Sequence, residues 1–179
     1  MLKREKTGLI VVDIQGKLAR LVHDSHTLIS NCEKLIKGAK ALDLPVILLE
    51  QNPDKLGATT DELKTLLATN SPITKFTFDG CAEPSFIEQI NTIDVDTWLI
   101  CGIEAHICVY QTALHLHLLG LKVQLVTDCI SARTLVNKEL AIKKLINRGL
   151  DISGLEMCLY ELVKDCRASE FKEILNLVK

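Results

Sequence analysis

The segment W-L-I-C-G-I-E-A-H-I-C-V (98–109) joins an apolar run to a residue type that can act as a nucleophile. The run ends at Gly102, a short turn follows, and an amphipathic segment begins near Ala105, which predicts a strand, a tight turn and a helix. Cys108 then lies in the first helical turn, where unpaired N–H groups and the helix dipole favour a thiolate. The segment predicts a nucleophilic Cys108 with a lowered pKa. The alternative is a buried structural cysteine, a common role for free thiols.

The rest of the chain repeats the alternation of short apolar runs with longer amphipathic segments. Strands are predicted at 7–13, 44–50, 73–76, 97–102, 122–128 and 150–153. Helices are predicted at 25–42, after a cap at Thr59 or Thr60, at 84–91, from the Cys108 turn to about Leu119, and at 137–149 after an Asn137 cap. Two further helical stretches are predicted at the end of the sequence. Nearly continuous apolar strands that alternate with helices indicate a mostly parallel sheet covered on both faces. The predicted fold is a three-layer α/β/α, Rossmann-like domain with a six-stranded sheet, spanning 1–179 as one domain.

Composition narrows the classes of partner. The 179 residues are 47% hydrophobic and 25% charged, with a formal net charge of −2. Nucleic acids and anionic membranes require a basic face, so neither is an expected partner. No apolar run reaches the length of a membrane-spanning helix, and the seven cysteines are an odd, scattered set,. We expect a cytoplasmic protein with free thiols and a small-molecule substrate.

Three residues with reactive side chains fall near the carboxyl ends of predicted strands, where ligands bind in open parallel sheets,. Asp13 ends the first strand, Lys75 lies in the third and Cys108 follows the fourth. A cysteine nucleophile needs a proton acceptor and benefits from a nearby cation, roles that Asp13 and Lys75 can supply. Taken singly, Asp13 is also explained as a turn former and Lys75 as a solvated edge residue.

Other candidates have less support. Glu50 ends the second strand, but no histidine follows it in 51–72, and no dinucleotide-binding or P-loop motif is present,. His115 and His117 are two residues apart on a helix and point to different faces. Arg133 is suited either to binding a substrate anion or to fixing the loop after the fifth strand. The sequence therefore predicts no cofactor and no metal site.

Six segments together resemble the isochorismatase-like hydrolases, also called cysteine hydrolases, over about residues 7 to 178. They are L-I-V-V-D-I-Q (9–15), E-Q-N-P-D-K-L-G-A-T (50–59), I-T-K-F-T-F (73–78), L-I-C-G-I-E-A-H-I-C-V-Y-Q-T-A (99–113), D-C-I-S-A-R (128–133) and F-K-E-I-L-N-L-V-K (171–179). The 99–113 segment is the most specific. Within the family, the chain is most similar to the isochorismatase-domain-containing and YcaC-type branch.

The resemblance implies roles for individual residues. Asp13 would be the general base and acid, Lys75 its electrostatic partner and Cys108 the nucleophile. It also implies a cis peptide bond between Ile103 and Glu104, and an oxyanion hole formed by the backbone N–H groups of Glu104 and Cys108. The resemblance also implies a homo-oligomer. The apolar segment L-H-L-H-L-L-G (114–120) is consistent with a subunit interface.

Two departures from known members narrow the expected activity. Nicotinamidases of the superfamily carry an Asp/His metal cluster after the second strand, where this chain has Glu50 without histidine partners. Isochorismatases proper lack the nucleophilic cysteine that this chain has. What remains is metal-independent hydrolysis of a small amide, ureido or related C–N bond through a thioester. The alternatives are a catalytically silent binding or scaffolding protein and a thiol redox protein, the latter disfavoured because no C-x-x-C motif is present,.

Overall fold

The computed structural model describes residues 1–179 and contains one six-stranded, all-parallel sheet. Its strand order is β3-β2-β1-β4-β5-β6. The strands are β1 (Thr7–Val12), β2 (Val46–Gln51), β3 (Ile73–Lys75), β4 (Thr97–Gly102), β5 (Lys122–Ile130) and β6 (Asp151–Ser153). This confirms the predicted fold class and all six strands, with the sheet wholly parallel.

Helices cover both faces of the sheet, as the apolar strands require. The bounds are α1 (Leu18–Leu21), α2 (Ser25–Ala41), α3 (Pro53–Leu56), α4 (Asp61–Leu66), α5 (Pro84–Thr92), α6 (Tyr110–Leu118), α7 (Leu135–Ile146), α8 (Leu155–Val163) and α9 (Phe171–Val178). Helices α2, α4, α8 and α9 contribute to the hydrophobic core on one face, and α5, α6 and α7 to the core on the other. No helix is both long and apolar enough to cross a membrane.

The central strands are buried on both sides because each face of the sheet meets a layer of helices. Along β1, Leu9 and Val11 belong to one core and Ile10 and Val12 to the other, and all four are fully buried. A strand with this double burial must be apolar at every position, which is why 7–13 reads as a continuous run. In β1, β2 and β4, polar side chains occur only at the strand ends.

The strand order brings the ends of β1, β2, β3 and β4 to one edge of the sheet. Gly102 closes β4 with a φ of +124°, and a Cβ atom there would lie 2.0 Å from the carbonyl oxygen of Val12. Only glycine fits that approach of backbone to backbone. The next residue, Ile103, donates its N–H to the same carbonyl at 2.9 Å. These contacts hold the turn that leads to Cys108 directly beside the end of β1.

One predicted helix cap differs from the structure, and two segments have local structure that was not predicted. Helix α7 begins at Leu135, and the Thr134 hydroxyl, rather than Asn137, caps it by accepting the Asn137 N–H. The segment between the second strand and Thr59 contains the short helix α3, with Pro53 at its first position. The Cys108 segment is a π-helical turn over Ala105–Val109 that continues into α6, so Cys108 does lie in the first turn of a helical segment.

Candidate active site

Asp13 and Lys75 form a buried ion pair at the edge where the strands end. Lys75 Nζ lies 2.7 Å from Asp13 Oδ2, and the two side chains are 0% and 3% exposed. Charged side chains are almost never buried this deeply unless they are paired. The alternatives of a solvated edge lysine and a simple turn former are therefore wrong for these two residues.

The Lys75 ammonium has an acceptor for each of its three protons. Besides Asp13, it donates to Gln51 Oε1 at 2.8 Å and to the Thr77 carbonyl oxygen at 3.3 Å. Gln51 is held in turn by the buried Gln15, whose Oε1 accepts the Gln51 N–H at 2.7 Å. Sequence reasoning missed both glutamines, because an amide beside a strand end carries no signal until its partner is known.

Asp13 has one oxygen engaged and one free. Its backbone has a φ of +52°, a left-handed conformation that aspartate tolerates better than most residues,. Oδ2 accepts from Lys75, whereas Oδ1 is buried without a hydrogen-bond partner. Burial raises the pKa of the Asp13 carboxyl, and the charge of Lys75 opposes that rise. The carboxylate therefore has an acceptor oxygen available for a proton.

Cys108 lies against this pair. Its side chain lines the same small cavity as Asp13, it is 7% exposed, and Asp13 and Lys75 both perturb its titration. Burial, with the neighbouring Asp13 charge, raises the pKa of the Cys108 thiol to about 12, and Lys75 only partly opposes this. The predicted low pKa is wrong, because removal from water outweighs the favourable field at the start of the helix. The thiol is neutral at rest and needs a base.

The turn between β4 and the π-helical turn has the backbone geometry that the family resemblance implied. The Ile103–Glu104 peptide bond is cis. The Glu104 N–H donates to no acceptor in the hydrogen-bond network, so it is free to donate to a ligand. The Glu104 carboxylate accepts from the backbone N–H and the Nε of Arg133 at 2.9 and 3.1 Å. Arg133 thus fixes the loop after β5 to the site, which was one of its two predicted roles.

A small apolar cavity opens over the thiol. It encloses about 80 Å³ and is walled mainly by hydrophobic side chains, with the reactive groups at its base. The walls are Leu18, Leu56, Phe78, Ile103 and Ile107, and the remaining lining residues are Asp13, Gln51, Glu104 and Cys108. A space of this size holds about three water-sized groups, at the roughly 30 Å³ that each occupies in a liquid.

Other potential metal ligands, one single residue and one cluster, lie outside the cavity. Glu50 is buried and accepts from the Thr59 backbone N–H and hydroxyl at 2.7 and 2.6 Å, so its carboxylate serves a loop contact. Asp79, Cys81 and His115 lie together where the segment that follows β3 meets α6. The sequence did not predict this cluster, because residue 115 is far from the other two along the chain.

The chain is similar to known proteins over nearly its whole length. Residues 7–157 match the isochorismatase domain, and the chain belongs to that family. It is 30% identical over 176 residues to the mouse isochorismatase domain-containing protein 2A, covering 98% of this chain and 84% of that one. The agreement in family and fold confirms the resemblance expected from the sequence.

Two solved structures show the extent of the similarity. A structure described as MAR1 ribonuclease from Caenorhabditis elegans superposes with a TM-score of 0.92 at 32% identity, over 99% of this chain and 91% of that one. The Escherichia coli YcaC gene product, described as an octameric hydrolase of unknown specificity, gives a TM-score of 0.90 at 21% identity, over 99% and 94%. The second likeness is one of fold.

Proposed function

We propose that this protein is a metal-independent cysteine hydrolase that cleaves a small amide, ureido or related C–N bond. The proposal rests on the Cys108 thiol, which lies beside the buried Asp13–Lys75 pair. Oδ1 of Asp13 has no other hydrogen-bond partner. A neutral thiol, a base with a free oxygen and a fixed cation are the parts that covalent acyl transfer requires. Membership of a hydrolase family supports the same class of reaction.

The first half-reaction forms a thioester. Sγ of Cys108 attacks the carbonyl carbon while Asp13 Oδ1 takes the thiol proton. The backbone N–H groups of Glu104 and Cys108 are the proposed donors to the oxyanion, and the unused Glu104 N–H supports this role,. Asp13 then protonates the leaving nitrogen, the C–N bond breaks and the amine departs.

The second half-reaction restores the thiol. Asp13 takes a proton from a water molecule, and the resulting hydroxide attacks the thioester carbonyl at the same donors. The C–S bond breaks, the carboxylic acid leaves and the thiolate recovers its proton from Asp13. Lys75 remains protonated throughout, and its three hydrogen bonds hold the carboxylate in place. One water is consumed for each amide cleaved.

The cavity supports short, uncharged acyl groups. Its wall is mostly aliphatic and aromatic, and no lysine or arginine lines it. A substrate carboxylate in this space would be desolvated without a partner. Short, uncharged primary amides or ureides therefore fit this space better than anionic substrates.

The test is a matched substrate series with the wild-type chain and Cys108→Ala. Ammonia release from propionamide, isobutyramide and butylurea is compared with release from succinamate, which adds a carboxylate. The proposal expects turnover of at least one neutral substrate, none by the variant, and a thioester detectable by mass spectrometry after rapid quenching. Turnover that Cys108→Ala retains would overturn the assignment of the nucleophile.

The same experiment separates the alternatives. A silent scaffold would show no turnover, and its Cys108 would be alkylated no faster in the wild-type chain than in Asp13→Asn. The similarity to a nematode ribonuclease adds RNA cleavage as a second readout. The net charge of −2 and the absence of unpaired cations at the cavity favour the small substrate,.

We also propose a homo-oligomer, most simply a dimer. Helices α6 and α7 leave a group of large apolar side chains exposed, which are Leu118, Leu119, Leu135, Val136, Leu140 and Ile146. Large exposed apolar patches are typical of interfaces. Light scattering at micromolar concentration is expected to give more than the mass of one chain, and a monomer mass would contradict the proposal.

A further inference from the structure

We propose that Asp79, Cys81 and His115 form a binding site for one transition-metal ion, with Zn²⁺ as the best match, beside the segment that contains the cavity residue Phe78. Their candidate donor atoms, one oxygen, one sulfur and one nitrogen, all lie within 4.8 Å of one another. The site is separate from the proposed catalytic residues. It departs from our expectation from the sequence that the chain has no metal site.

The chemistry of the three donors fits zinc better than a hard cation. Zn²⁺ binds cysteine sulfur, histidine nitrogen and carboxylate oxygen, and three protein ligands leave a fourth position for water. Calcium and magnesium take oxygen ligands almost exclusively. Donors around a tetrahedral zinc are about 3.5 Å apart, given bonds of about 2.0–2.3 Å. The widest separations in the cluster therefore need to contract by about 1 Å, whereas His115 Nδ1 and Asp79 Oδ2, which lie 2.7 Å apart, need to separate,.

Existing contacts already orient the donors. His115 Nδ1 lies 2.7 Å from Asp79 Oδ2, and Asp79 Oδ1 accepts the Cys81 backbone N–H at 2.9 Å. Cys81 Sγ contacts the Thr112 carbonyl oxygen at 3.8 Å, and Thr112 Oγ1 accepts the Gly80 N–H at 2.8 Å. Helix α6 and the segment after β3 are thus joined around the cluster before any ion arrives, as partners of metal ligands commonly are.

Access and charge are also suitable. The His115 side chain is 42% exposed and that of Asp79 is 23% exposed, whereas Cys81 is buried. An ion can approach through the two exposed donors and replace the thiol proton, which passes to solvent. The bound ion then carries one thiolate and one carboxylate, so its two positive charges are balanced.

The position of the cluster gives the ion a structural consequence. Phe78, a wall of the cavity, immediately precedes Asp79, and the Thr77 hydroxyl donates to the Asp79 carbonyl oxygen at 2.7 Å. The Thr77 carbonyl in turn accepts from Lys75. A metal that fixes Asp79 and Cys81 to α6 would therefore fix the wall formed by Phe78, without entering the chemistry at Cys108.

Cobalt titration of the metal-free protein tests the site, because a thiolate ligand gives Co²⁺ a charge-transfer band in the near ultraviolet. We expect one equivalent to bind with that band and with the visible bands of tetrahedral cobalt, and zinc to displace it. Cys81→Ser should abolish the charge-transfer band. His115→Ala should weaken binding by about tenfold or more, in the range seen when a contact at a metal site is lost.

Two other thiols serve as controls. Cys166→Ser removes the exposed thiol and Cys108→Ala the cavity thiol, and both variants should keep the band. A wild-type chain without the band, or a band lost with either control, would overturn the proposal. Because Cys81 is buried and its variant can lose the fold, His115→Ala provides the independent arm. Unchanged cobalt affinity in that folded variant would also reject the site.

Discussion

Two clusters in this protein each contain an aspartate, a cysteine and a basic side chain, and they differ mainly in how deeply the charged side chains are buried. The inner cluster is Asp13, Lys75 and Cys108, with the two charged side chains 3% or less exposed. The outer cluster is Asp79, Cys81 and His115, with the acid and base 23% and 42% exposed. In both, burial together with the adjacent aspartate raises the cysteine pKa to about 12. Residue types and thiol titration alone do not distinguish them.

The carboxylate oxygens do distinguish the two clusters. Asp79 uses Oδ2 for His115 and Oδ1 for the Cys81 backbone N–H. Asp13 uses Oδ2 for Lys75 and leaves Oδ1 buried without a partner. A buried acceptor without a partner costs free energy, on the order of 1–3 kcal/mol, that a substrate or a proton can recover. The inner cluster is therefore suited to proton transfer, and the outer one to holding an ion.

The largest contrast is expected between the two cysteines. Cys108→Ala should lower kcat by about 10⁴-fold or more, as the loss of a nucleophile does in other covalent hydrolases. Folded Cys81→Ser protein should keep kcat nearly unchanged, because Cys81 does not line the cavity. Steady-state kinetics on the best substrate of the amide series measures both. Equal losses would remove the distinction between the clusters.

The two aspartates provide the next contrast. Asp13→Asn should lower kcat/KM by about 10²–10⁴-fold, the usual contribution of a general base. Iodoacetamide labelling of Cys108 at neutral pH should slow as well, since the thiol then has no proton acceptor. Asp79→Asn is the matched change in the outer cluster and should leave both rates nearly intact. A wild-type labelling rate in Asp13→Asn would exclude Asp13 as the base.

Lys75 and His115 should differ in their contribution to the stability of the fold. Lys75→Met leaves the Asp13 carboxylate buried without its partner, and loss of one member of a buried pair costs about 3–5 kcal/mol. The deficit should shrink as the pH falls, because protonation neutralises the remaining acid. His115→Ala breaks a partly exposed contact and should cost about 1 kcal/mol or less. Urea unfolding of both variants at two pH values measures the free energies.

The pH profile gives the smallest and most specific effect. Asp13 must be ionised to accept a proton, and burial raises the pKa of its carboxyl. The acid limb of kcat/KM should therefore lie above that of an ordinary carboxylate, and activity should fall as the pH drops through it. No alkaline loss from Cys108 is expected below its pKa of about 12, because the thiol reacts from its neutral form. An acid limb at about pH 4 or below would contradict the raised pKa.

Hydrophobic periodicity predicted most of the fold, and the positions of the strand ends predicted most of the site. Six apolar runs predicted six strands because a strand buried on both faces has no polar position, and parallel strand ends share one edge. That reasoning placed Asp13, Lys75 and Cys108 together. The cap of α7 was misplaced from Thr134 to Asn137, since both residue types cap helices and only the backbone selects one. The cytoplasmic location and the single-domain organisation stay predictions.

The sequence by itself determined the sheet, its layers and the three residues that meet at its edge, because hydrophobic periodicity and chain order are local properties. Tertiary structure alone decided the state of those residues. Whether Cys108 titrates low or high depends on how much water and which charges surround it, and the distant residues Asp13 and Lys75 supply those charges. The same holds for His115, which meets Asp79 across 36 positions of chain. Electrostatic environment is a property of packing, so no pattern in the sequence specified it.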